Sequence, residues 1–108
     1  MNRLIFKIAV VALLVMNAFV NSVAAPATTR AQAISMVRSI LKSNTASCRI
    51  NKTLSVTASQ VKTGWRVTAR VVMSAGGTPS NETLVWIVAS GEAVPSSQIA
   101  SEVSSGCP

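Results

Sequence analysis

Apolar and polar residues follow two different rhythms along this chain. Between Thr29 and Ser43 the spacing is helical: Ala33, Ile34, Met36, Val37, Ile40 and Leu41 share one half of a wheel, and Gln32, Ser35, Arg38, Ser39, Lys42 and Ser43 share the other. Thr29 and Gln32 stand at capping-box spacing, which predicts a helix starting just after Thr29 and ending in the polar run Ser43, Asn44 and Thr45. From Ile50 the period changes to two. Ile50, Leu54, Val56 and Ala58 form an apolar face interrupted only by Lys52, while Asn51, Thr53, Ser55, Thr57 and Ser59 form the polar one. After a turn over Gln60 to Gly64 the stretch GWRVTARVVMS resumes the alternation. It sends Trp65, Val67, Ala69, Val71 and Met73 inward and Arg66, Thr68, Arg70 and Ser74 outward. The two segments predict an antiparallel hairpin.

AGGTPSN is a loop by composition, and TLVWIVA, Thr83 to Ala89, reads as a third strand without alternation. Val85 and Ile87 point one way and Leu84, Trp86 and Val88 the other, so both faces want cover. In a three-stranded meander this strand lies at an edge, where an apolar surface carrying a tryptophan needs covering. Either the tail supplies it through Ile99 and Val103, or a partner does, which makes Leu84, Trp86 and Val88 a candidate interface for a second copy or another protein. The tail turns at Ser90 and Gly91, and Ser96 stands where it can cap a short helix over SSQIASEV. The expected fold is α+β: an N-terminal amphipathic helix packed on a three-stranded antiparallel meander, with a short C-terminal helix tied back by one disulfide.

Composition changes this picture at the N-terminus. MNRLIFK, the uncharged run Ile8 to Val20 and the small residues of NSVAAPA have the order of a secretory signal peptide, expected over residues 1–25, with cleavage after Ala24, Ala25 or Ala27. The uncharged run is 13 residues long, and a membrane span needs about 20. The expectation is therefore a protein without a transmembrane span once the leader is removed, secreted or periplasmic. The remaining residues, 26–108, form one small domain. Without Arg3 and Lys7, eight basic residues face three acids, a net charge of +5. The basic residues all lie between Arg30 and Arg70 and the acids at or after Glu82, so the two halves are opposite in sign. Cys48 and Cys107 are the only cysteines, and in an exported chain an even count predicts a disulfide.

Catalytic chemistry is poorly provided for. The chain has no histidine, tyrosine or aspartate, and Glu82, Glu92 and Glu102 are scattered, which removes the usual general bases and nucleophile activators. With no histidine and no C-x-x-C spacing, no metal or cofactor is expected. NKT at Asn51 and NET at Asn81 match the N-glycosylation pattern, a short motif common by chance. What remains is the arginine face. Arg66 and Arg70, four residues apart on a strand, project from one side about 13 Å apart. Thr68 lies between them, and Lys62, Arg49 and Lys52 stand at the strand ends. Such a face suits an anionic macromolecule, while ordinary solvent-facing strands carry the same residue types for solubility.

The order helix, three strands, helix on a basic chain is similar in topology to a double-stranded-RNA-binding domain. SSQIASEV, however, lacks the lysine cluster such domains carry on the second helix, so nucleic acid is not the expected partner. QVKTG at Gln60 to Gly64 and AVP at Ala93 to Pro95 loosely resemble the inhibitory hairpins of cystatins. Lys62 stands where those have valine, and Ser96 follows the proline where they have tryptophan, so the resemblance implies a fold without protease inhibition. The leading expectation is an exported non-enzymatic binding protein that engages an acidic macromolecule or envelope component through its basic sheet face. The alternative is a secreted inhibitor or immunity-type protein acting on another protein through a hairpin loop or the Trp86 surface.

Overall fold

The computed structural model describes residues 28–107; the expected leader and its cleavage sites lie outside them. The order of elements is α1 (Arg30–Ser43), β1 (Ile50–Val61), β2 (Gly64–Met73), β3 (Ser80–Ala89), β4 (Glu92–Pro95) and α2 (Gln98–Ser104). The four strands form one antiparallel sheet in sequence order. α1 packs chiefly on β1 and β2 and α2 on β3 and β4, both on the same face. The fold is α+β, as its periodicities imply, but the meander has four strands and not three.

α1 begins with the capping box read from the sequence. The Thr29 hydroxyl accepts the Gln32 amide N–H at 3.1 Å, and the Gln32 side-chain oxygen accepts the Thr29 N–H at 2.8 Å, which satisfies two donors that helix geometry leaves open. Its buried stripe is Ala33, Val37 and Leu41, flanked by the half-buried Ile34, Met36 and Ile40. α2 is capped by Ser97, one residue later than expected, and buries Ala100 and Val103. The disulfide Cys48–Cys107 joins the turn before β1 to the end of α2, with the Cα atoms 5.2 Å apart.

Two corrections concern the strands. β1 carries two register shifts against β2, one between Ile50 and Lys52 and one between Thr53 and Ser55. Each bulge inserts an extra residue and reverses the facing of those beyond it. Thr53 therefore faces the helices opposite Val71, Lys52 moves to the other face opposite Val72, and Leu54, expected in the core, is 46% exposed. The interruption that Lys52 makes in the apolar pattern marks this irregularity. The second correction is β4. Ser90 and Gly91 both have positive φ, 53° and 75°, as a two-residue hairpin turn of favoured twist requires, and they fold Glu92–Pro95 back along the outer edge of β3. β3 is thus an interior strand for half its length. Beyond Pro95 the ladder continues as Ser96 N–H donating to the Val85 carbonyl at 2.7 Å.

The core follows from this stacking. Val67, Ala69 and Val71 of β2, Leu84, Trp86 and Val88 of β3, and Val37, Ala100 and Val103 from the helices are fully buried. Leu84, Trp86 and Val88 face the helices beside Ala69, Val67 and Trp65, not the opposite side of the sheet. The Trp86 indole N–H donates to the Ser104 hydroxyl of α2 at 2.8 Å. Of the two covers expected for this strand, the tail or a partner, it is the tail that packs on Leu84, Trp86 and Val88.

Candidate ligand-binding face

With both helices on one side, the other side of the sheet is open to solvent among the described residues, and strand register determines what it carries. Across the sheet one row reads Ser59, Arg66, Ile87, Val94, and the next Thr57, Thr68, Val85. The third is Ser55, Arg70, Thr83, and the fourth Lys52, Val72, Asn81. Arg66 and Arg70 are both exposed and Thr68 between them is half-buried, so the guanidinium groups rise from β2 on either side of a hydroxyl-bearing row. No charged side chain is buried among the described residues. The cations of this face therefore stand in water, available for contact, with no desolvation cost already met inside the fold.

The sequence-predicted site residues divide. Arg66, Thr68, Arg70 and Lys52 come together on the open face, Lys52 through the bulge. Lys62 lies in the two-residue turn between β1 and β2, beyond the Arg66 end. Arg49 is elsewhere: it sits at positive φ (54°) in the turn before β1 and lines a cavity of about 280 Å³ beside the disulfide, with Glu102 and Met73. Thr53, expected on the polar face of β1, faces the helices, and Ser59 takes a place in the Arg66 row. The expected interface residues Leu84, Trp86 and Val88 are core and offer no surface to a partner.

Sequence reasoning overlooked the aliphatic component of this face. Val85 and Ile87 are half-buried on β3, and Val94 on β4 is 51% exposed, all on the arginine side. The signal was present in the lack of alternation along TLVWIVA, but without β4 it indicated only that both faces wanted cover. Glu92, opposite Ala89, closes the end of the face beyond Arg66 and is its one acid. The second aromatic group, Trp65, belongs to the helix side, where its indole N–H donates to the Thr28 carbonyl at 2.8 Å and Arg30 stacks 5.3 Å from its ring.

No protein-family model, curated protein or solved structure matches this chain. Among the described residues no helix is long and apolar enough to cross a membrane. That observation and the disulfide are compatible with an exported protein.

Proposed function

We propose that this is an exported, non-enzymatic binding protein that engages an acidic partner through the open face of its sheet. The observation that carries the reading is the register: Arg66, Arg70 and Lys52 share the one sheet face that neither helix covers. The absence of histidine, tyrosine and aspartate from the sequence supports a binding role over a catalytic one. The strand sets the backbone spacing of Arg66 and Arg70 at about 13 Å, so the two guanidinium groups reach carboxylates or phosphates spaced to match.

The test compares the disulfide-bonded protein with an Arg66→Ser/Arg70→Ser variant against three acidic probes: a glutamate-rich peptide, polygalacturonate and phosphatidylglycerol vesicles. Binding of at least one probe is expected to weaken steeply with added salt and to fall by about tenfold or more in the variant. Binding that ignores both salt and the two substitutions would place the contact elsewhere.

A further inference from the structure

The cations of the open face lie directly beside an aliphatic lane, and that juxtaposition narrows the chemistry of what it can hold. Arg66 has Ile87 and Val94 in its own row, and Thr68 has Val85. Both tryptophans, the only aromatic groups among the described residues, lie on the helix side. Nucleic-acid bases are gripped by stacking on aromatic rings, which this face lacks. A hydrated polysaccharide has no aliphatic group to bury against the lane. Arginine stems overtop valine and isoleucine, so a lipid phosphate layer resting on the guanidinium groups would hold the lane away from the acyl chains. A second copy would set like-charged rows face to face.

We propose that the open face docks an acidic segment of another protein in which carboxylates alternate with aliphatic side chains. The carboxylates seat on Arg66 and Arg70, and the aliphatic group between them falls at the Thr68 row, against Val85 and beside Ile87. In an extended segment, side chains four residues apart lie about 13 Å from one another, the spacing of the two arginines, with the side chain between them facing the same way. Glu92 disfavours a further acid beyond Arg66 and sets one end of the footprint. This inference rests on the open face being the binding surface, yet it can fail while that reading stands.

Two peptides of equal charge separate them. One repeats Glu-Thr-Val-Thr and the other Glu-Thr-Ser-Thr, so they differ only in whether an aliphatic side chain lies between the carboxylates. Titrated into isotope-labelled protein at physiological salt, the valine peptide is expected to shift the amide signals of Arg66, Arg70, Val85 and Ile87. It is expected to bind about tenfold more tightly than the serine peptide. Val85→Thr, at a half-buried position in the Thr68 row, removes that advantage, and Ile87→Thr checks it from the neighbouring row. Equal binding of the two peptides, lost in Arg66→Ser/Arg70→Ser, would overturn this inference and keep the basic-face reading. Binding of neither peptide, or tighter arginine-dependent binding of polygalacturonate or phosphatidylglycerol vesicles, would overturn it as well.

Discussion

At the scale of single residues, Ser97 joins two elements through one hydroxyl. Its Oγ accepts the Ala100 N–H at 3.3 Å as the cap of α2 and the Val85 N–H at 3.1 Å from β3. Ser97→Ala leaves both donors without that partner and is expected to destabilise the fold by about 1–2 kcal/mol in urea denaturation. Trp86 is the largest fully buried side chain, with its indole N–H satisfied by Ser104. Trp86→Ala opens a cavity under α2 and is expected to cost about 3–5 kcal/mol. Trp86→Phe keeps an aromatic ring in the core and should leave binding to acidic probes unchanged, because this residue reaches no surface. Loss of binding in a folded Trp86→Phe protein would show that the helix side contributes to the contact.

At the scale of elements, β1 illustrates how a period-two pattern can be legible and still mislead. Strict alternation from Ile50 places Leu54 in the core beside Val56, yet two bulges between Ile50 and Ser55 put it outside at 46% exposure. Leu54→Thr is therefore expected to change stability by no more than about 0.5 kcal/mol, whereas Val56→Thr, at a buried position, costs more. Paired denaturation curves decide the matter, and a large loss in Leu54→Thr would mean that the regular register prevails. The bulges also twist β1 where it forms an edge of the sheet, which discourages pairing with another chain. β4 was illegible for a different reason: four residues ending in proline carry too little alternation to be recognised. Their strand identity comes from pairing with β3 and from the turn at Ser90 and Gly91.

At the scale of the whole molecule, the chain is small and the described helices cover one face of the sheet only, so the covalent link from the turn before β1 to the end of α2 matters. The disulfide spans 59 residues of sequence, and chain entropy assigns a loop of that length about 4 kcal/mol. Reduction, or the Cys48→Ala/Cys107→Ala substitution, is expected to lower stability by that order in chemical denaturation. Unchanged denaturation in the presence of reductant would mean that packing of α2 on β3 suffices by itself. Charge is also distributed at this scale. The basic residues precede Glu82 in the sequence, and the antiparallel meander gathers Lys52, Arg66 and Arg70 on one surface while sending Arg49 to the disulfide end.

The sequence by itself determined the first helix with its cap, the long hairpin, the inward side of β2 and the pair of cysteines able to meet. Each depends on neighbours a few residues apart, where periodicity and capping act. Only the tertiary structure decided which face of β3 the helices bury, where β1 breaks register, and that Glu92–Pro95 is a strand. Those outcomes depend on pairing between segments distant in sequence, and a residue of suitable polarity satisfies more than one such pairing. The aliphatic lane beside the arginines emerges from that same pairing: Ile87 and Val94 become neighbours of Arg66 only when β2, β3 and β4 align.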